Sequence, residues 1–385
     1  MKTINWHISD TDQQWAFWHL ARSVQSRTKD YRHVYQEPGH INIIMTPVHL
    51  GQMDIDQTCI LHLDGNRWYE HHGVKIPGRP TVLNVIWELD SWSWGLCYAN
   101  IQTVLERHYN MMPIEFKPYA RNGCQLPMDG VDFVLCQNIT QVHQVPDDMK
   151  CKTITRLGGI MNFKTGNDKV DFYFNQMRQC GAIIATNSKL YDIAKQANPN
   201  SYLIPNGIDI RKWCPRPDRA WNYKKPVIGF IGNVANLAKV QYKGYDLVCK
   251  AVRDMGLTLR QGLFKSEQIP HNQMKELFYD EIDILILPTD GEGSSNTLME
   301  AMACGVPCIT TTTSGYHGER CVDGENIVFI EKSLIGVKHG ITRFLNDSDL
   351  YQKISAGGRA FAICHHDVNI IAAKYREVFE KHFTL

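Results

Sequence analysis

Two carboxylates, Glu292 and Glu300, stand with seven residues between them in the stretch 282–309, IDILILPTDGEGSSNTLMEAMACGVPCI. A short apolar run over 284–287 stops at Pro288 and gives way to the polar, glycine-bearing loop 289–296, which predicts a buried strand entering a loop. Leu298, Met299, Ala301, Met302 and Ala303 then predict a helix, with its N-cap among Ser295, Asn296 and Thr297 and its stop at Gly305 and Pro307. Thr297-x-x-Glu300 also fits a capping box, which puts Glu300 in the first turn. The N–H groups opening such a helix, at the carboxyl end of a parallel sheet, stabilise an anion such as a diphosphate. Two carboxylates would repel a ligand that was only phosphate, but each can accept two hydrogen bonds from a vicinal diol. The pattern therefore suits a ligand with a sugar on one side of a diphosphate and a ribose on the other.

The frame EG…LMEAMACGVPCI resembles the Glu-x7-Glu signature of retaining GT-B glycosyltransferases, in particular glycosyltransferase family 4, and the likeness continues through TSGYHGERCVDGENIVFI at 313–330. The resemblance implies an α/β chain of the GT-B type, two doubly wound Rossmann-like domains facing across a cleft. It also implies a nucleotide diphosphate sugar as co-substrate, a UDP-sugar foremost, and transfer with retention to an acceptor hydroxyl, with no metal and no other cofactor. In this reading Glu292 and Lys243 are catalytic, and Glu300, Ser295, Asn296, Thr297, Gly232, Asn233 and Gly244 bind the donor. Gly232-Asn233 stands where the family has a Gly-Arg turn, and Lys243-Gly244 where it has Lys-Gly. With the Arg absent, Lys243, helped by Lys239, is left to neutralise the departing diphosphate. The first strand leads into SDTDQQ instead of the family's Gly-Gly loop, and TITRLGG puts Arg156 and the Gly158-Gly159 pair where a sugar-contacting His is usual.

Elements to position these residues are legible along the chain. Strands are predicted over 3–8, 40–45, 59–63, 81–87, 131–136, 153–156 and 182–186, with helices over 13–27, 98–109, 171–180 and 188–196, and 33–35 resembles the family's second strand. Alternating strands and helices predict a doubly wound domain over 1–205, and the resemblance implies that it holds the acceptor. The proline-rich, aperiodic stretch 206–226 reads as a linker. A nucleotide-sugar domain follows over 227–365, with a strand at 227–231, a helix at 245–255 and a strand near 257–263. In 369–383, Ile371, Tyr375, Phe379 and Phe383 form one apolar face, and the resemblance implies that residues 366–385 return towards the first domain.

Seven of the 9 tryptophans, Trp6, Trp15, Trp18, Trp68, Trp87, Trp92 and Trp94, lie in the first 94 residues. VIWELDSWSW concentrates them past a strand end, so Glu88, Asp90 and Trp92 are the acceptor-side candidates. A glycan is the leading acceptor; a small molecule and a hydroxylated base in DNA stay open, although 41 Lys and Arg against 40 Asp and Glu supply no global field for nucleic acid. The amino terminus has no signal-peptide pattern, and no apolar run reaches the roughly 18 residues that span a bilayer, so a cytoplasmic placement, at most peripheral to a membrane, is expected. The 12 cysteines read as small buried hydrophobes, and His365-His366 as a solvated pair. Asp10-x-Asp12 is the metal pattern nearest the expected cleft. VIGFIGNVA at 227–235 lacks the G-x-G-x-x-G of a dinucleotide site, which argues against a nicotinamide oxidoreductase, whereas a non-catalytic sugar-nucleotide binder stays open.

Overall fold

The structure, a computed structural model, describes residues 2–7, 31–35, 41–44, 58–64, 67–72, 78–86, 101–116, 126–163, 168–217, 225–264, 269–313, 315 and 320–383, the first five stretches as backbone only. The acceptor-side candidates Glu88, Asp90 and Trp92, the predicted helix 13–27 and Asp10-x-Asp12 lie outside the described residues. The chain forms two compact units, one of Met1–Tyr98 and Leu105–Ile154, the other of Ala99–Val104 and Thr155–Thr384.

In the first unit, β1 (Lys2–His7) lies between β2 (Tyr31–Tyr35) and β3 (Ile41–Ile44), with β4 (Thr58–Asp64) parallel to β3. β5 (Arg67–His72), which the sequence pattern did not predict, closes that sheet as an antiparallel edge strand. A second group centres on β6 (Thr81–Ile86), whose six residues are all buried, flanked in parallel by β7 (Asn110–Glu115) and β8 (Phe133–Cys136). The helix expected over 98–109 is cut short: helical backbone ends at Leu105, whose carbonyl takes the N–H groups of His108 and Tyr109. β7 follows at once, and it hides from periodicity because Pro113 breaks the pattern; an edge strand tolerates that proline.

The second unit begins with β9 (Thr153–Leu157) at the boundary, followed by α1 (Val170–Gln179), β10 (Ala182–Ala185), α2 (Ser188–Ala197) and β11 (Ser201–Leu203). Its other sheet is wholly parallel, in the order β13 (Thr258–Leu263), β12 (Val227–Gly232), β14 (Ile284–Leu287), β15 (Cys308–Thr311), β16 (Val328–Ile330). The middle strands are continuous apolar runs because helices cover both faces. Those helices are α4 (Tyr245–Asp254), α5 (Asn296–Ala303) and α6 (Leu334–Asn346), while α3 (Leu237–Lys243) packs on α4, α7 (Ser348–His366) on α5 and α6, and α8 (Val368–His382) on α7. Ile371, Tyr375, Phe379 and Phe383 are all buried, as the spacing in the last helix predicts.

Within the stretch read as a linker, Trp213 is completely buried. Its ring packs at right angles on Tyr279, with centroids 5.5 Å apart, and its carbonyl accepts from Arg359. Burying a tryptophan outweighs the local polarity that makes the segment look solvated. His366 likewise departs from the solvated reading: it is 3% exposed and its Nδ1 lies 2.9 Å from the carbonyl oxygen of Asn206. Of the cysteines described, Cys136, Cys180, Cys304, Cys308 and Cys321 are buried, whereas Cys151 and Cys364 are exposed.

Candidate active site

The loop after β14 carries Glu292, and backbone contacts hold it from three sides. At Gly293 an added Cβ would sit 2.0 Å from the carbonyl oxygen of Gly158, and at Gly315, with φ of 89°, it would sit 2.3 Å from the carbonyl oxygen of Gly293. No other residue fits either place without moving the chain. Asn187 adds a side-chain clamp: its Oδ1 caps α2 by accepting from Leu190 N, and its Nδ2 donates to the carbonyls of Glu292 and Gly293 at 3.1 and 2.8 Å. The N–H of Glu292 donates to Thr313 O at 3.2 Å. Gly158 thus serves the site through its carbonyl oxygen, which abuts Gly293.

Lys243 reaches this loop from the end of α3. Gly244, left-handed at φ of 64°, separates α3 from α4, and a Cβ there would collide with Pro288 at 2.6 Å. That close approach sets Lys243 beside the loop, where its Nζ forms an ion pair with Glu292 Oε1. Both side chains are about four-fifths buried, 22% and 18% exposed. Tyr242 pins the same turn by donating to Gly291 O at 2.5 Å, and burial, then Glu292 and Asp290, push its hydroxyl up to about 12. Lys332 bridges Asp290 at 2.6 Å and the carbonyl of Gln241 at 2.5 Å.

Glu300 is placed differently from the sequence expectation. The N-cap of α5 is Ser295, whose Oγ accepts from Leu298 N, and no acidic residue lies in the first turn. Thr297 is already inside the helix, so the Thr297-x-x-Glu300 capping box does not form and Glu300 falls in the second turn. Its carboxylate is 7% exposed and turned towards β13's side of the sheet, where His271 Nε2 contacts Oε1 at 2.9 Å and the Tyr279 hydroxyl donates to Oε2 at 2.8 Å. Burial, with Glu300 second, raises the Tyr279 hydroxyl well above its ordinary range, so it stays a donor. Lys212 lies 3.4 Å from His271 Nδ1 and 4.6 Å from the Trp213 ring centre. Desolvation holds the Lys212 ammonium below its usual range, against the pull of Glu300.

At the start of α5, Asn206 Nδ2 donates to Ser294 O at 2.8 Å and to Asn296 Oδ1 at 2.7 Å, while the Arg156 guanidinium donates to Asn206 Oδ1. Arg156 therefore braces the loop. The positive end of the α5 dipole lies at this same turn.

The structure thus pairs Lys243 with Glu292 on the loop after β14, sets Ser295, Asn296 and Thr297 at the opening of α5, and holds Glu300 in its second turn against His271 and Tyr279. A cavity of about 150 Å³ opens on Glu292, bounded by Ile160, Asn187, Lys189, Asp290 and Thr313. Asn233 stays apart: its Oδ1 accepts from Ala235 N at 3.1 Å in a local turn. Gly232 ends β12 with only ordinary contact to Phe230, 3.5 Å from an added Cβ. His271, Tyr279, Asn187 and Asn206 went unnoticed in the sequence. Asn187 was discoverable as the cap before the helix SKLYDIAK; His271 and Tyr279 lie in an aperiodic stretch with no motif around them.

Residues 263–347 match a family model described as glycosyl transferases group 1. A curated relative, the capsular polysaccharide biosynthesis glycosyltransferase CapM of Staphylococcus aureus, is 34% identical over 83 residues, 21% of this chain and 22% of that protein. The aligned stretch therefore spans about a fifth of the curated relative. Among solved structures, Anabaena HepE in complex with UDP-glucose superposes with a TM-score of 0.60 at 15% identity, covering 78% of this chain and 99% of that one. Sucrose-phosphate synthase from Thermosynechococcus elongatus superposes with a TM-score of 0.54 at 13% identity over 100% of both chains. The fold is that of the GT-B glycosyltransferases, and the stretch 263–347 that matches the group 1 model carries both Glu292 and Glu300.

Proposed function

We propose that the protein is a retaining, metal-independent glycosyltransferase that moves a sugar from a nucleotide diphosphate sugar, a UDP-sugar foremost, to an acceptor hydroxyl. The observation that carries this reading is the placement of two differently held carboxylates on either side of one helix N-terminus, with Lys243 at the first of them. A diphosphate at the start of α5 puts Glu292 within reach of the donor sugar and Glu300 within reach of the ribose. Lys243 then exchanges Glu292 for the departing phosphate, and the developing charge is met by an ammonium and by helix N–H groups already in place. Support for UDP as the nucleotide comes from HepE, whose structures hold UDP-glucose and UDP with glucose. Support for a glycan acceptor comes from the capsular polysaccharide role of the aligned relative. Glu88, Asp90 and Trp92 remain the proposed acceptor contacts.

The test is a transfer assay across UDP-, GDP- and ADP-sugars with glycan acceptors, in the presence of EDTA, with the product's anomeric configuration read by NMR. Retained configuration from a UDP-sugar, unaffected by chelation and abolished in Glu292→Gln, is the expected result. An inverted product, a requirement for metal, or binding without turnover on any donor would overturn the proposal.

A further inference from the structure

A second cavity, of about 330 Å³, lies in the same unit, bounded by Arg320, His365, Lys374, Thr186, Ser294 and Pro205 among others. Among the described residues it shares only Gly315 with the cavity at Glu292, and none of those lining it is an Asp or Glu. Its volume falls at the small end of sites for small molecules, about 300–1,000 Å³. His366, at its base, is committed to Asn206 O at 2.9 Å and is held neutral by burial, its titration lowered to about 4. Three basic side chains therefore remain to face the space. His365 packs beside Phe361, with ring centres 5.1 Å apart. Burial, then the nearby cations Arg320 and Lys374, hold its imidazole below its ordinary range. Arg320 is also the one non-glycine residue with left-handed backbone among the described residues, at φ of 69°. Strained backbone of this kind persists where surroundings enforce it, and it is concentrated at ligand clamps.

We infer that this second cavity is an anion site that takes a phosphoryl group, gripped by the Arg320 guanidinium and the Lys374 ammonium with the His365 imidazole as a further donor. The guanidinium offers two parallel N–H groups to two phosphoryl oxygens, the ammonium a point charge, and cations gathered in one concavity focus the field. The group can arrive as free phosphate or on a phosphorylated small molecule. The assignment stands whether or not the chain transfers sugar, because none of these residues touches Glu292 or Lys243.

Lysine acetylation of the intact chain, read by mass spectrometry, tests it with inorganic phosphate as the probe and chloride at equal ionic strength as the control. Phosphate is expected to slow acetylation of Lys374 about tenfold, the scale of one charge-assisted contact, while Lys381 on the same helix reacts unchanged. Arg320→Gly, which suits the left-handed backbone and so does not threaten folding, is expected to remove most of the protection, as is His365→Gln combined with it. Lys374 reacting equally in phosphate and chloride, or protection that survives in Arg320→Gly, would overturn the site. Stronger protection by a hexose 6-phosphate than by phosphate assigns the group to a phosphorylated small molecule, and equal protection assigns it to free phosphate.

Discussion

Glu292 and Glu300, the two carboxylates of the proposed donor site, are built on opposite principles. Glu292 sits on a loop fixed by glycine contacts, and its carboxylate is held by a single lysine that can leave. Glu300 rises from a helix, and each of its oxygens is held by a separate side chain, His271 on one and Tyr279 on the other. The first arrangement rigidifies the backbone and frees the charge, whereas the second buries the charge and fixes its orientation. A group that must change partners during a reaction suits the first; a group that recognises an unchanging part of a ligand suits the second.

The sharpest way to break this contrast is at Lys243. Lys243→Ala is expected to lower single-turnover transfer at saturating donor by about two to three orders of magnitude, the loss typical of one preorganised charge-stabilising donor. Part of that loss arises because Glu292 is left without its cation near the phosphate. Lys243→Ala in a Glu292→Gln background should therefore cost less than in the wild type, and strict additivity of the two would show that the ion pair is irrelevant to turnover.

A smaller effect sharpens the other half. Glu300→Ala is expected to weaken binding of free UDP about tenfold or more, and Tyr279→Phe to weaken it less while destabilising the fold by about 1–3 kcal/mol through the unsatisfied Oε2. Glu292→Ala should leave free UDP nearly untouched and lose affinity only for the intact nucleotide sugar. Calorimetry with both ligands decides, and equal losses for both ligands in both carboxylate variants would erase the distinction.

The smallest expected effect concerns pH. His366 is buried and its folded-state titration is lowered to about 4 from 6.5, so folding favours the neutral imidazole. Its contribution is fully present above 6.5 and is lost as pH falls towards 4, amounting to up to about 3 kcal/mol. Denaturant titrations between pH 7 and 4 should show that loss, and His366→Asn should flatten it. An unchanged slope in that variant would place the acid sensitivity elsewhere.

The parallel strands of the second sheet were legible because their apolar runs end abruptly, as at Ile284–Leu287 before Pro288. The glutamate pair was legible because both members follow one such end and flank the start of the helix after it. What could not be read is where buried polar groups find partners across the chain. His271 meets Glu300 across 29 residues, and Asn206 meets Asn296 across 90, so no local pattern encodes either contact. The first turn of α5 was misjudged for a related reason. Ser295, Asn296 and Thr297 are all competent caps, and the choice of Ser295 follows from Asn206 taking the side chain of Asn296. Trp213 shows the same limit, since composition marks its surroundings as a tether while one large ring turns them into core.

Gly158, Gly293 and Gly315 meet backbone to backbone, and that contact has a consequence for how the molecule can diverge. With no side chain at the crossing, chain length there sets the reach of Glu292, and the side chains of Asn187 and Tyr242 hold the loop from its flanks. Substitutions at Ile160, Lys189 or Thr313 can rewrite the lining of the cavity and alter which ligand is preferred while the carboxylate keeps its place. Insertion or deletion of one residue between Pro288 and Ser295 has no such freedom. Specificity and chemistry are thereby uncoupled within a single loop, the one open to drift in residue type and the other closed to drift in length.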